Sequence, residues 1–186
     1  MILYINACVR KSSRTELLAG ALLKKLDRPY KERKLEDLDI APLTEADLEK
    51  RADLLAKGEF SDPFLALAKE FAEADTIVVS APYWDLSFPA LLKVYLENIY
   101  AIGLISRYSE SGDPIGLCKA EKLYYVTTAG GKYISDYSFD YMTRMAKDYF
   151  GIKETKLIKA EFLDIVGNDA EKIVSDAIET VFSEEL

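Results

Sequence analysis

The sequence contains no histidine. That absence removes the side chain that normally titrates near neutrality, the commonest metal ligand, and the base of any Ser-His or Cys-His nucleophile pair. Cysteine is almost as scarce: Cys8 and Cys118 are the only two, too few for a disulfide framework and without the paired spacing of a zinc site. No apolar run approaches the length of a bilayer span, and Met1-Ile2-Leu3-Tyr4-Ile5-Asn6 has no basic stretch leading into a long hydrophobic one. Positive charge is in deficit as well, with 24 Lys and Arg against 32 Asp and Glu, a formal charge of -8. A surface of that sign repels phosphate backbones and anionic lipid, so neither nucleic acid nor a membrane is expected as a partner; the cytoplasmic location expected here comes from the amino-terminal pattern and the short apolar runs. With the usual catalytic side chains missing, chemistry is expected to belong to a bound cofactor.

What is present is a globular balance. Of 186 residues, 49% are hydrophobic and 30% charged, which suits a single domain over residues 1–186 with one substantial core. The chain is organised around Val78-Val79-Ser80-Ala81-Pro82-Tyr83-Trp84-Asp85-Leu86-Ser87-Phe88-Pro89. The β-branched run from Thr76 to Val79 has the composition of a buried parallel strand, and Pro89 suits the first turn of a helix. Between them lies a loop at a strand's carboxyl end, where open α/β sheets bind ligands. Tyr83 and Trp84 there offer a flat surface to an aromatic cofactor, or else plug a core or a subunit contact.

Ile2 to Asn6 predicts a first strand, followed by the loop Ala7-Cys8-Val9-Arg10-Lys11-Ser12. Ser13-Arg14-Thr15-Glu16 has capping-box spacing, and Leu18, Leu22 and Leu26 continue one helical face. The amino end of that helix is a candidate phosphate seat, with Arg10, Ser12, Ser13, Arg14 and Thr15 as donors. The loop has no glycine, so it matches neither the dinucleotide fingerprint nor the Walker loop. A single terminal phosphate, or an ordinary capped helix with solvated cations, remains. Cys8 beside it is either redox-sensitive or inert packing.

Tyr30 to Leu35 predicts a second strand, whose Lys31-Glu32-Arg33-Lys34 charges suit a sheet edge. Ile40 to Gly58 suggests a helical insertion, and Asp62-Pro63 a helix start. After Pro89, Leu91, Leu92, Leu96 and Ile99 cover one side of a helix while Val94, Tyr95 and Tyr100 leave little polar surface on the other, which favours a homodimer. Leu104 to Leu117 predicts an irregular excursion turning at Gly112-Asp113-Pro114. Lys122 to Thr128 is the next strand, with Gly130 and Gly131 at its carboxyl end, either a close approach to a planar ligand or a flexible turn. A helix carrying Phe139, Met142, Ala146, Tyr149 and Phe150, a last strand over Lys153 to Phe162, and a helix from Asn168-Asp169-Ala170-Glu171 complete the chain.

Five alternations of strand and helix imply an α/β fold, a doubly wound five-stranded parallel sheet with helices on both faces. In the order 2-1-3-4-5 the loops after strands one and three meet at the switch point, with the loop after strand four beside them. A monophosphate seat, an aromatic platform and a glycine pair thus converge on one crevice. Flavin mononucleotide (FMN), with one phosphate and one flat ring, fits that set better than a dinucleotide does.

Ala81-Pro82-Tyr83-Trp84-Asp85-Leu86, Pro89 through Asn98, Arg107-Tyr108-Ser109-Glu110-Ser111-Gly112 with Gly116-Leu117, and Thr127-Thr128-Ala129-Gly130-Gly131 occur in an order and spacing that resemble the flavodoxin-like NAD(P)H-dependent oxidoreductases. The similarity is greatest to the FMN-dependent NADH-azoreductase branch, related to the NAD(P)H:quinone reductases. The resemblance implies that Ser13 and Thr15, with Arg14, hold the FMN phosphate, that Pro82, Tyr83, Trp84, Asp85 and Leu86 line the ring, and that Thr128, Gly130 and Gly131 meet its pyrimidine edge. It further implies a homodimer, NADH or NADPH as co-substrate, a quinone or azo acceptor, ping-pong kinetics, and Trp84 and Tyr133 as pocket walls, with no side chain needed as proton donor. Asp85 stands where family members often have asparagine, and a carboxylate facing the flavin would lower its potential. The alternatives are a flavodoxin-type electron carrier, which would oxidise NAD(P)H poorly, and a non-catalytic binding domain on the same fold.

Overall fold

The computed structural model describes residues 1–185. Its elements run β1 (Ile2–Asn6), α1 (Arg14–Leu26), β2 (Tyr30–Lys34), α2 (Glu45–Lys57), α3 (Ala66–Glu73), β3 (Thr76–Ser80), α4 (Ala90–Ile99), β4 (Ser106–Tyr108), β5 (Pro114–Gly116), β6 (Lys122–Thr128), α5 (Phe139–Arg144), β7 (Glu154–Ala160) and α6 (Ala170–Ser183). The parallel sheet has the order β2-β1-β3-β6-β7, which is the expected 2-1-3-4-5 once the small β4–β5 hairpin is set aside.

Every residue of β1 and β3 is buried, because both faces of the sheet are covered and neither can carry a polar alternation. On one face Leu3, Ile5, Ile77, Val79 and Tyr125 pack with Phe71, Leu92, Tyr95 and Phe150 of the flanking helices. On the other, Ile2, Tyr4, Val78 and Val126 meet Leu18 and Leu22 of α1 and Val174 and Val181 of α6. The register sets Asn6 beside Lys34 on one side and Ser80 on the other, and Ser80 beside Val126. β1 and β3 therefore finish level, β6 runs two residues further to Thr128, and the loops that leave the three strands share one edge. At the exposed edge strand, Lys31 and Arg33 both reach Glu70 of α3, at 2.6 and 2.7 Å, so the edge charges also fasten a helix.

Three elements depart from the sequence expectation. The excursion after α4 is an antiparallel hairpin, Ser106 pairing with Gly116 and Tyr108 with Pro114. Its return strand lies flush on the end of the α5 segment: a Cβ on Gly116 would stand 2.0 Å from the Gly151 nitrogen and 2.2 Å from the Phe150 carbonyl carbon. That segment closes as a π-helical turn over Met145–Phe150, ended by Gly151 at φ 80°. In α4, Tyr95 joins Leu92, Leu96 and Ile99 in the core, while Leu91, Val94 and Tyr100 are half-buried. The chain itself thus covers more of this helix than its composition suggested. No helix among the described residues is long and apolar enough to cross a membrane.

Candidate functional site

The first wall of the site is built where β1 turns into α1. Ser13 is the N-cap, with extended backbone and its Oγ accepting the Glu16 N–H at 3.3 Å. The N–H groups of Arg14 and Thr15, first in the helix, have no carbonyl to bond within it and mark the positive end of the helix dipole. Only half of the capping box forms. The Glu16 carboxylate, instead of folding back on Ser13, accepts from Asn6 Nδ2 at 3.1 Å. Thr15 is buried, and its Oγ1 lies 2.6 Å from Thr128 Oγ1, which ties the first turn of α1 to the end of β6. Its backbone N–H, rather than its engaged hydroxyl, is the group left to meet an anion.

The second wall leaves β3. Ala81 N–H donates to Val126 O at 3.0 Å and Tyr83 N–H to Thr128 O at 3.1 Å, so the loop continues the ladder beyond the strand. Trp84 and Ser87 then exchange backbone hydrogen bonds at 2.9 and 2.8 Å around Asp85 and Leu86, both in the left-handed region at φ 49° and 69°. This two-residue turn has positive φ at both central positions, the type I′ pattern that glycine and asparagine normally fill. It leaves Trp84 38% exposed. Behind it, the Tyr83 ring meets the Tyr133 ring edge-on at 4.9 Å, and Tyr133 O–H pairs with Ser138 Oγ at 2.8 Å. Burial pushes the Tyr133 hydroxyl above its ordinary pKa, which keeps it neutral. The Tyr83 hydroxyl is buried with no partner among the described residues.

The third wall follows β6. Phe162, Leu163 and Asp164, in the loop after β7, donate their N–H groups to the carbonyls of Gly131, Ala129 and Gly130 at 3.0, 3.2 and 2.9 Å. A Cβ on Gly130 would lie 2.3 Å from Asp164 Oδ2, so the glycine leaves room for the Asp164 carboxylate where it stands. Asp164 also pairs with Arg14 Nη1 at 3.1 Å, a contact between exposed groups worth about 1 kcal/mol or less.

These walls enclose a cavity of about 570 Å³, within the range of small-molecule sites. Of the residues singled out from the sequence, Arg10, Ser13, Arg14, Thr15, Pro82, Tyr83, Trp84, Thr128 and Gly130 lie on its surface. Asp85 and Leu86 stand at the exposed tip of the turn, Gly131 is exposed beyond it, and Tyr133 backs Tyr83 from the core. At that tip solvent screens the Asp85 carboxylate. Val9, Ser12, Ala129, Leu163 and Asp164 also line the cavity. The last two escaped the sequence argument because the switch-point rule draws attention to the loops after strands one, three and four, whereas the loop after β7 reaches across only through backbone bonds to the glycine pair. Cys8 is 1% exposed and burial raises its thiol pKa, both of which favour packing over a reactive thiolate.

A family model described as a flavodoxin-like fold matches residues 1–183. The chain belongs to this flavodoxin-like family. Within it, the chain is 32% identical over 190 residues to the FMN-dependent NADH:quinone oxidoreductase of Coprothermobacter proteolyticus, covering 95% of this chain and 94% of that one. The enzyme of the same name from Clostridium beijerinckii is 40% identical over 119 residues, 63% of this chain and 60% of that one. Among solved structures, an azoreductase from Bacillus anthracis aligns with a TM-score of 0.80 at 22% identity, covering 97% and 96% of the two chains. An FMN-dependent NADH-azoreductase from the same species, solved in complex with FMN, aligns with a TM-score of 0.80 at 19% identity over 97% and 95%. At those identities the structural likeness establishes the flavodoxin-like fold. The quinone oxidoreductases carry the comparison of sequence.

Proposed function

We propose that this chain is an FMN-dependent oxidoreductase that passes two electrons from NADH or NADPH to a quinone or azo acceptor. The observation that carries the proposal is the cavity itself: one edge of the sheet brings the basic, hydroxyl-rich amino terminus of α1 to the same space as Tyr83 and Trp84. The donor set suits FMN. Ser12, Ser13 and the free first-turn N–H groups supply neutral donors for one phosphate, and Arg10 and Arg14 supply charge. The unpartnered Tyr83 hydroxyl is a buried polar atom that a bound polar group would satisfy.

FMN, when bound, would supply two-electron redox chemistry between a nicotinamide donor and the acceptor. The chain's own work is to bind and to orient. Arg14, Ser13 and Thr15 N–H fix the phosphate, Pro82, Tyr83 and Trp84 wall the ring, and Tyr133 holds Tyr83 in place through its ring and its Ser138 hydrogen bond. With no histidine in the chain, no imidazole takes part in moving protons. Both substrates would reach the same open face and alternate there, which is ping-pong kinetics.

The loops after β3 and β6 also carry exposed Leu86, Ile134 and Tyr137, and Ser87 Oγ donates to Tyr137 O at 2.6 Å to hold them together. An apolar rim of that kind beside a pocket mouth suits a second copy of the chain, so a homodimer is part of the proposal. The test is optical. Added FMN should show a perturbed visible spectrum with the purified protein, anaerobic NADH should bleach it, and a quinone should restore it. A colourless preparation that leaves the FMN spectrum unchanged would refute the assignment.

A further inference from the structure

Beneath the cavity, one buried side chain holds both ends of the loop that forms its anion end. Asn6, the last residue of β1, is completely buried. Its Oδ1 accepts the Cys8 N–H at 3.0 Å, where the loop leaves the strand, and the Ser80 Oγ–H at 3.2 Å, where β3 ends. Its Nδ2 donates to Glu16 at 3.1 Å, one turn inside α1 and therefore just past the other end of the loop, and to Glu32 of β2 at 2.8 Å. A single amide thus reaches four neighbouring segments, and its donor and acceptor ends face opposite ends of residues 8–13. The hydroxyl it holds on Ser80 is itself 2.9 Å from Tyr4 O–H, and Ala7 N–H reaches Ser80 O at 2.8 Å, so the entry side is anchored to the sheet.

The need for such a clamp follows from the sequence. The loop has no glycine to make a self-bonded nest around an anion, and Val9, Arg10, Lys11 and Ser12 are all exposed. A flexible segment presenting Arg10, Ser12 and Ser13 would lose conformational entropy each time it closed on a phosphate. Fixing both ends in the free protein removes part of that cost. Asparagine is required by the polarity of its neighbours: Cys8 N–H and Ser80 O–H need an acceptor, and two carboxylates need a donor. Aspartate would offer only acceptors and set three carboxyl groups together.

We propose that Asn6 is the positioning residue of the phosphate seat, pre-organising the 8–13 loop by bonding the Cys8 amide at its entry and the Glu16 carboxylate at its exit. The proposal rests on the reading of the cavity as an FMN site. It predicts an effect on ligands that carry the phosphate and little effect on the ring.

Flavin fluorescence titrations with FMN and with riboflavin, which lacks the phosphate, test it. Asn6→Asp should raise the FMN dissociation constant about tenfold or more, the scale of one hydrogen bond to a charged group, and leave that for riboflavin within about twofold. Adding Glu16→Gln and Glu32→Gln to Asn6→Asp exchanges donor and acceptor across both contacts, and the triple variant should recover most of the FMN affinity. An Asn6→Asp chain that binds FMN as tightly as the parent, that loses riboflavin in equal proportion, or that is not rescued by Glu16→Gln with Glu32→Gln overturns the proposal while leaving the cofactor assignment standing. A parent chain that binds neither flavin overturns both.

Discussion

Replacing Leu86 with glycine should move stability and FMN affinity in opposite directions. Asp85 and Leu86 sit at φ 49° and 69°, the only consecutive non-glycine residues in the left-handed region among those described. That region costs an L-residue roughly 1–2 kcal/mol, and aspartate escapes part of it through local hydrogen bonds that leucine lacks. Glycine removes the penalty at Leu86 but returns about 0.5–1 kcal/mol of chain entropy to the unfolded state. Because Leu86 is 52% exposed, little burial is lost. The net expectation is a gain of about 0.5–1 kcal/mol in the FMN-free protein, or about 1–4 °C in Tm for a chain of this length. Strain of this kind concentrates where a loop is shaped for a ligand, here in the turn that follows Trp84 on the cavity wall. Glycine also loosens the turn that carries Trp84, and the roughly 0.5–1 kcal/mol of chain freedom lost again on binding should raise the FMN dissociation constant about threefold. Urea denaturation without FMN and a fluorescence titration measure the two effects. A loss of stability would show that the turn is not strained, and an unchanged affinity would show that FMN binding does not depend on the rigidity of the turn.

Gly116→Ala should destabilise the protein by about 3 kcal/mol or more, beyond ordinary overpacking, because its Cβ would meet the Gly151 backbone at 2.0 Å and no side chain can yield; a cost under about 1 kcal/mol in denaturant would mean that the hairpin is not docked as described. Thr15→Val keeps the shape of a buried residue but strands Thr128 Oγ1, 2.6 Å away, and should cost about 1 kcal/mol, against which an unchanged unfolding midpoint would count. Burial pushes the Cys118 thiol up to about 12 from 9.0 and raises that of Cys8, so neither should react with a thiol reagent at pH 8 until the chain unfolds. Since the folded state holds those protons more tightly, their contribution is intact below pH 9 and is lost as pH rises from about 9 toward 12; alkaline melts of Cys118→Ala should fall less steeply than those of the parent, and parallel curves would refute the linkage.

The frame was legible because its signals are local. Thr76 to Val79 is β-branched and continuous as a doubly covered strand must be, Pro89 directly precedes α4, and Ser13 and Asp169 cap α1 and α6 through their own side chains. What escaped was decided by contacts distant in sequence. Strands of three residues at Ser106–Tyr108 and Pro114–Gly116 carry no alternation to recognise; they are fixed by Gly116 lying on Gly151. Leu48 continued an apolar pattern in α2 yet is 53% exposed, and Leu54 is the buried contact of that helix. Asp164 entered the site by the same long-range route, through backbone bonds to Gly130 that no motif announces. Asn6 was visible only as the polar end of an apolar strand, and its four partners come from β1's neighbours and the loop it clamps.

The charge of the whole chain and the charge of its cavity lining have opposite signs, and the proposed function gives the difference a role. A formal charge of -8 repels an extended polyanion, whose many phosphates meet the average surface. One phosphate seated at the start of α1 meets a different field, made by Arg10, Arg14 and the helix terminus within a few ångströms. Asp164 tempers that field by holding Arg14 at 3.1 Å, and Arg14 must divide its donors between the carboxylate and any bound anion. Five N–H donors make that division feasible for a guanidinium, where a lysine ammonium would offer a single point of charge. On the proposed reading, selectivity for a small, singly phosphorylated ligand would need no glycine-rich loop here: the surface would repel the large anions, and the clamped loop and helix terminus would admit the small one.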